Sequence, residues 1–89
     1  MNDFEISLAD AAIQEIESLP EFSQGAVDDA IYRLVTHPTK FGTRLKGVGS
    51  KNRPLFSMRV GQSRVIYSVD RELNTVTILK VASRAHTFV

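Results

Sequence analysis

The feature that most limits the fold is a pair of β-rich segments separated by only two residues, Gly61 and Gln62. The flanking segments, 55–60 and 63–70, are rich in β-branched and aromatic residues, which is typical of strands. A two-residue connection that contains glycine favours a hairpin. A third segment of this kind, 75–83, follows after a four-residue connection. The second half of the chain is therefore predicted to form an antiparallel sheet.

The first half predicts one short strand followed by two helices. Residues 4–8 alternate between apolar and polar side chains, as in a strand. Apolar residues then recur at helical spacing over 9–19 and again over 27–35. Pro20 ends the first helix and can open the second, because a proline at the first helical position loses no needed hydrogen bond. Pro38 disfavours helix at the residue before it and stops the second helix.

Residues 38–54 are expected to form a basic loop, because they contain two prolines, three glycines and five lysines or arginines. The strand and two helices before this loop cannot bury their apolar stripes on their own, so the loop does not mark a domain boundary. The predicted order is β-α-α-β-β-β over a single domain, 1–89. This order is typical of an α+β fold in which a helical hairpin packs on one face of an antiparallel sheet.

Alternation along the three strands separates an apolar face from a polar one. The apolar set, which should meet the helices, is Phe56, Met58, Val60, Val65, Tyr67, Val69, Leu79 and Val81. The opposite set is Ser57, Arg59, Arg64, Ile66, Ser68, Lys80, Ala82 and Arg84. If Gly61 and Gln62 form the turn, Arg59 directly faces Arg64 across the hairpin.

Composition excludes several classes of protein. The 89 residues contain no cysteine and two histidines, which argues against a disulfide framework or a zinc site. No apolar run approaches the ~20 residues of a membrane helix, and the acidic N-terminus lacks the basic start of a signal peptide. The expectation is a cytoplasmic protein without metal, cofactor or membrane partner.

Charge is divided sharply along the chain, although the net charge is only +1. Residues 1–36 carry eight acids and one base, whereas residues 37–89 carry ten lysines or arginines and two acids. Such asymmetry predicts a polyanion-binding half on an acidic scaffold. Like charges placed opposite each other on a sheet repel, so Arg59 and Arg64 point to an external anion. Arg84 is predicted to converge on them, and planar guanidinium groups suit phosphate.

Several motifs in this order resemble the RelE/ParE toxin superfamily. They are Leu45-Lys46-Gly47, the strand Leu55–Gly61 ending in Arg-Val-Gly, Arg64-Val65-Ile66-Tyr67, and Lys80-Val81-Ala82-Ser83-Arg84, followed by a terminal aromatic residue. The resemblance covers essentially the whole chain. Each motif alone is weak, but the order and spacing together are fairly specific.

The resemblance implies a toxin of a type II toxin–antitoxin system that enters the ribosome and cuts mRNA there, using the RNA 2′-hydroxyl and no metal. By that resemblance Arg59, Arg64 and Arg84 match basic active-site positions, and Lys46 matches a position that holds RNA. The remaining predicted RNA-binding residues are Arg44, Lys51, Arg53, Lys80 and Phe88. The implied partner is a cognate antitoxin that covers the basic face.

Two departures from the family pattern leave alternatives open. Ser57 stands where relatives often have a lysine, and Phe88 stands where they often have a tyrosine. Phenylalanine stacks on bases but transfers no proton, so His86 is the predicted proton carrier. The alternatives are a ParE-like inhibitor of DNA gyrase, which shares the fold, and a binding protein whose catalytic power has decayed.

Overall fold

The computed structural model describes residues 3–83 and has the element order β-α-α-β-β-β-β. The elements are β1 (Glu5–Leu8), α1 (Asp10–Glu17), α2 (Glu21–Arg33), β2 (Thr43–Gly49), β3 (Pro54–Val60), β4 (Ser63–Asp70) and β5 (Thr75–Ser83). The five strands form one sheet in the order β1-β5-β4-β3-β2. The predicted α+β class is confirmed, with the differences in strand number and direction described below.

Both helices bury one apolar stripe in a core shared with the sheet. The buried helical residues are Ala12 and Ile16 of α1 and Val27, Ala30 and Ile31 of α2. The corner between the helices is fixed by Pro20, which is the N-cap of α2, and by the Gln24 amide, whose Nε2 donates to the Leu19 carbonyl oxygen at 2.8 Å. Proline fits this corner because a backbone N–H there would have no helical partner.

The β3–β4 hairpin has the predicted register. Val60 faces Ser63 and Arg59 faces Arg64 on either side of the turn, in which Gly61 adopts a φ of 59°. On the buried side Phe56 faces Tyr67, and their rings stack with centroids 5.5 Å apart. Because side chains alternate along each strand, this register places the apolar set on the helices and the arginines on the other side. We call the side of the sheet that carries Arg59 and Arg64 the outer face.

The prediction of a loop over residues 38–54 is wrong for its middle part, which forms β2. This strand pairs with β3 at Thr43–Ser57 and Arg44–Phe56, and again at Gly49–Pro54 after a shift of register. Gly47 and Gly49 both have φ near 80°, so the strand is irregular where it shifts. β2 is almost wholly exposed, and therefore lacks the apolar alternation by which a strand is recognised in sequence.

The sheet is mixed rather than purely antiparallel. β1 pairs with β5 in parallel, from Glu5–Thr75 to Leu8–Ile78. The other neighbouring strands are antiparallel. The alternation within residues 4–8 predicts a strand but carries no information about the direction in which the strand pairs. The parallel pairing of β1 with β5 could therefore not be predicted.

The assignment of Leu79 to the buried set is also wrong. The β4–β5 register shifts between Ile66–Lys80 and Tyr67–Ile78, which leaves Leu79 as an extra residue in β5. Such a bulge reverses the face on which the following residues lie. Val76, Ile78 and Val81 are therefore buried, whereas Leu79 is 36% exposed.

Tyr67 lies at the centre of the core with its hydroxyl against the backbone of Gly42. The side chain is fully buried, and its hydroxyl oxygen has no hydrogen-bond partner among the described residues. A Cβ at position 42 would collide with that hydroxyl and lie 2.9 Å from Cζ, so only glycine fits there. Burial raises the pKa of Tyr67 to about 12, because the phenolate would lose its hydration.

We expect Tyr67→Phe to raise the free energy of unfolding by about 1 kcal/mol near pH 7, because it removes a buried polar group without a partner. Unfolded tyrosine ionises near pH 10, whereas the folded pKa of Tyr67 is about 12. The native protein should therefore lose stability between pH 10 and about 12, and the variant should lose less. Urea denaturation at pH 7 and pH 11 measures both effects.

Tyr32→Phe is the matched control, because Tyr32 is 75% exposed. It should leave the free energy of unfolding at pH 7 unchanged, because it removes no buried group. A Tyr67→Phe variant that lost stability at pH 7 would contradict the assignment of an unpartnered hydroxyl.

The open edge of β5 is covered by one carboxylate. β1 pairs with Thr75–Ile78 of β5, and no other described strand lies beside the rest of β5 on that side. Glu15 of α1 lies against this edge, where its Oε1 accepts a hydrogen bond from the Val81 backbone N–H at 2.7 Å. Its Oε2 accepts one from Lys80 Nζ at 3.1 Å. A single helical residue thus joins α1 to a strand that lies more than 60 residues later in the chain.

Glu15→Ala should lower the free energy of unfolding by about 1–3 kcal/mol, because it leaves the half-buried Val81 N–H without its charged acceptor. Glu15→Gln should lose less, since an amide oxygen can still accept that bond. Glu17→Ala, at an exposed position on the same helix, serves as the control. Equal losses for Glu15→Ala and Glu17→Ala in urea denaturation would show that the edge contact has no energetic role.

Candidate functional site: a basic sheet face

Two facing arginines define the site on the outer face. Arg59 of β3 and Arg64 of β4 are directly opposite each other, and both side chains are exposed. Residues that face each other across antiparallel strands have Cβ atoms about 4.5–5.5 Å apart. The predicted juxtaposition is therefore present, and two guanidinium groups are within reach of one small anion.

The neighbours of the arginine pair on the outer face have short or uncharged side chains. Ser57 and Ile66 face each other one step along the ladder, and Ala82 of β5 faces Arg64. All three are half-buried. Among the described residues, neither arginine has an ion-pair partner within 4 Å. Small neighbours leave room for a ligand, and the absence of a described counter-ion leaves the repulsion between the arginines uncompensated.

Arg53 is less available than the sequence predicted. Its Nε donates to Asp70 Oδ2 at 3.3 Å, close to the turn that joins β4 and β5. Asp70 also accepts hydrogen bonds from the backbone N–H groups of Glu72 and Leu73, both at 3.0 Å. The carboxylate is thus fixed by the turn, and it neutralises one of the cations that were predicted to bind RNA.

Lys80 is neutralised in the same way by Glu15, at the other edge of the hairpin sheet. Its side chain remains 60% exposed, so the ion pair is of the weak, solvated kind. Lys80 therefore keeps contact with solvent but does not contribute a free charge to the outer face.

The three remaining cations of the predicted RNA-binding set lie on β2 and the connection after it. Arg44, Lys46 and Lys51 line a hollow of about 420 Å³ beside the irregular part of β2. None of them has an ion-pair partner among the described residues. Arg44 faces Phe56, and so it projects to the helix side of the sheet, away from Arg59 and Arg64. The cations of β2 therefore extend the basic surface around the sheet edge.

Three of the predicted site residues, Arg84, His86 and Phe88, lie outside the described residues 3–83. The convergence of Arg84 on the arginine pair stays a prediction. So does the assignment of proton transfer to His86 and of stacking to Phe88.

Sequence reasoning overlooked Phe41. Its ring is 42% exposed, and it lies 5.9 Å from Arg33 Cζ and 5.7 Å from Lys40 Nζ. The edge of His37 approaches the same ring, with centroids 6.0 Å apart. The His37 ring also hydrogen-bonds the Thr36 hydroxyl at 2.8 Å. A phenylalanine next to a lysine in a loop was the available signal.

Residues 3–83 contain neither a metal-binding cluster nor a membrane-spanning helix. No group of three histidine, cysteine, aspartate or glutamate side chains there is placed to hold a metal ion. In the same part of the chain, no helix has the length and hydropathy needed to cross a membrane.

Comparisons with known proteins agree with this geometry. The family model described as the ParE toxin of type II toxin–antitoxin systems, parDE, matches residues 6–88. The RelBE2 toxin–antitoxin complex of Mycobacterium tuberculosis contains a chain 30% identical, with a TM-score of 0.81 over 96% of this chain and 95% of that one. The archaeal RelE–RelB complex of Pyrococcus horikoshii gives 26% identity and a TM-score of 0.80 over 92% and 96%.

More distant structures share the fold alone, among them the intact RelBE complex of E. coli. That match has 16% identity and a TM-score of 0.73, over 90% of this chain and 95% of the other. No curated protein gives a significant match to the sequence. The family model covers nearly the whole chain, and the two more similar structures share the arrangement of helices and sheet. The resemblance seen in the sequence is thus confirmed: the chain belongs to the ParE toxin family of type II toxin–antitoxin systems, within the RelE/ParE superfamily.

Proposed function

We propose that this toxin stops translation in the cytoplasm by cutting mRNA on the ribosome, with Arg59 and Arg64 at the scissile phosphate. The observation that supports this most directly is the facing pair of exposed arginines without a described counter-ion. A solvated pair of this kind is destabilising by a few tenths of a kcal/mol. A phosphodiester removes that repulsion, and each planar guanidinium can bond two of its oxygens.

The cleavage chemistry follows from RNA itself. The 2′-oxygen attacks the adjacent phosphorus and gives its proton to a base, while the bond from phosphorus to the 5′-oxygen breaks and that oxygen takes a proton. The products are a 2′,3′-cyclic phosphate and a 5′-hydroxyl. Negative charge increases on the non-bridging oxygens in the transition state, and two fixed guanidinium groups stabilise it there.

Proton transfer is the part of the proposal that departs most from the family pattern. Ser57, half-buried beside the arginines, cannot replace the lysine that relatives often have at its position. His86 is our candidate for the proton carrier, because imidazole titrates near neutral pH. Arg84 is proposed as the third cation at the phosphate.

A cognate antitoxin is the proposed protein partner. The two more similar structures are toxin–antitoxin and RelE–RelB complexes. The charge of the outer face implies that the antitoxin segment covering it carries acidic side chains, which would neutralise Arg59 and Arg64 and compete with RNA.

The second candidate function is inhibition of DNA gyrase. It is favoured by one observation, which is that the matching family model is that of ParE. Under this alternative the basic face would bind the enzyme or its DNA, and no nuclease chemistry would be needed.

Arg64→Ala should lower the rate of mRNA cleavage by at least ~10²-fold, by analogy with the loss of one donor to a developing negative charge. Arg59→Ala should do the same. Arg71→Ala is the matched control, because Arg71 follows the end of β4 that is remote from Arg64. The rate is measured by primer extension on mRNA from ribosome-containing reactions. If Arg64→Ala kept the native rate, the arginine pair would not be the active site.

The two candidate functions separate in purified systems. Added to a cell-free translation reaction, the native protein should produce mRNA cuts at fixed codon positions and leave supercoiling by purified gyrase unaffected. Intact mRNA together with inhibited supercoiling would establish the gyrase alternative. If the protein neither cut mRNA nor inhibited supercoiling, it would be a binding protein without catalytic power.

A further inference from the structure

Arg59 also borders a groove that the sequence analysis did not identify. The groove has a volume of about 440 Å³ and lies between α2 and the last residues of β3. This volume is within the range of about 300–1,000 Å³ that is usual for small-ligand sites. Arg59 of the outer face also lines this groove, which lies on the helix side at the open edge of β3. A nucleotide held at Arg59 by its phosphate can therefore place its base in the groove around that edge.

The groove exists because β2 stops short. The first residue of β2, Thr43, pairs with Ser57, so within residues 3–83 no strand lies beside Met58, Arg59 and Val60 on that side. In place of a strand, the loop residue Phe41 forms one wall. The gap is thus set by strand pairing and does not depend on the position of one mobile side chain.

The lining combines an apolar floor with a flat aromatic wall. Ala26 and Ala30 of α2 and Met58 and Val60 of β3 supply the apolar part. Phe41 presents an exposed ring, with the Arg33 guanidinium 5.9 Å from its centroid. Bases stack on aromatic rings and on guanidinium planes, so this wall fits a nucleobase.

Two charged groups in the groove have no ion-pair partner among the described residues. Asp29 and Arg33 lie four residues apart on α2, where an aspartate and an arginine commonly pair. They are not within 4 Å of each other or of another opposite charge. The Asp29 carboxylate therefore remains available as an acceptor and the Arg33 guanidinium as a donor, which is the pair of functions that reads the edge of a base.

We propose that the groove binds the base of the nucleotide whose phosphate lies at Arg59 and Arg64. The base stacks on Phe41, and Asp29 accepts a hydrogen bond from its exocyclic amino group. Adenine, cytosine and guanine carry such a group and uracil does not, so the groove discriminates against uracil. This inference rests on the proposed RNA substrate, but it concerns the base and not the phosphate.

The test compares three non-cleavable RNA tetranucleotides, 2′-O-methylated oligo(A), the same oligo(U), and an abasic tetramer with the same backbone. Binding to the full-length protein is measured by isothermal titration calorimetry. The native protein should bind oligo(A) more tightly than oligo(U), and the abasic tetramer most weakly. Equal affinity for oligo(A) and the abasic tetramer would overturn the proposal.

Phe41→Ala should weaken oligo(A) binding about tenfold, within what stacking on one aromatic side chain contributes, and should change the abasic tetramer less than twofold. Phe41→Leu keeps the apolar contact and should show the same selective loss of oligo(A) binding. Phe41→Trp keeps an aromatic ring and should bind oligo(A) about as tightly as the native protein. Phe22→Ala is the matched control, because Phe22 is 89% exposed on α2 and does not line the groove. Asp29→Leu should reduce the preference for oligo(A) over oligo(U) to the part that comes from the stronger stacking of adenine on Phe41.

The phosphate site and the base groove fail in different ways. Arg64→Ala should weaken all three tetramers by a similar factor if the proposed function is right. If Phe41→Ala acts as expected but Arg64→Ala has no effect, the groove binds a base and the assignment of the phosphate to Arg59 and Arg64 is wrong. If Phe41→Ala affects no RNA and instead weakens the complex with co-expressed antitoxin, the groove belongs to the protein partner and our inference is wrong.

Discussion

The pairing of β3 with β4 is the constraint on which most of the molecule depends. Its two-residue turn sets a register in which Phe56 faces Tyr67 and Arg59 faces Arg64. A slip of one strand by one residue would exchange the two faces of that strand, burying its arginine and exposing its ring of the aromatic stack. The energy of the core therefore enforces the repulsive arrangement on the outer face. Hydrophobic burial stabilises the hairpin by far more than two solvated arginines destabilise it.

The parts of the fold that follow from local chemistry could be predicted from the sequence. Gly61 and Gln62 indicate the turn, Pro20 separates the two helices, and the alternation of β3 and β4 assigns their faces. Pro38 marks the end of α2 only approximately, because the helix already ends at Arg33. The features that were missed depend on pairing between distant segments. β2 is a strand only because β3 lies beside it, and Leu79 is exposed only because β4 and β5 shift by one residue. Neither the pairing of β2 with β3 nor the shift between β4 and β5 produces a periodic pattern in the sequence of the strand concerned.

The basic site, too, could be predicted only in the part that depends on local sequence. Facing arginines follow from turn geometry, so their placement was accessible from sequence. The neutralisation of Arg53 by Asp70 and of Lys80 by Glu15 was not, because each pair joins residues far apart in the chain. Counting charges along the sequence therefore overstates the free positive charge of the outer face. On the outer face the free charge lies on Arg59 and Arg64, whereas Arg44 of β2 lies on the helix side of the sheet.

The contact between Glu15 and Val81 has a consequence for how the protein behaves among other chains. A sheet edge with free N–H groups is a template for pairing with any extended peptide, including an unfolding copy of the same protein. α1 presents a carboxylate to that edge, so an approaching strand would have to displace a charge-assisted hydrogen bond and place its own carbonyl groups beside a negative side chain. The helix thus protects one border of the sheet against intermolecular strand addition.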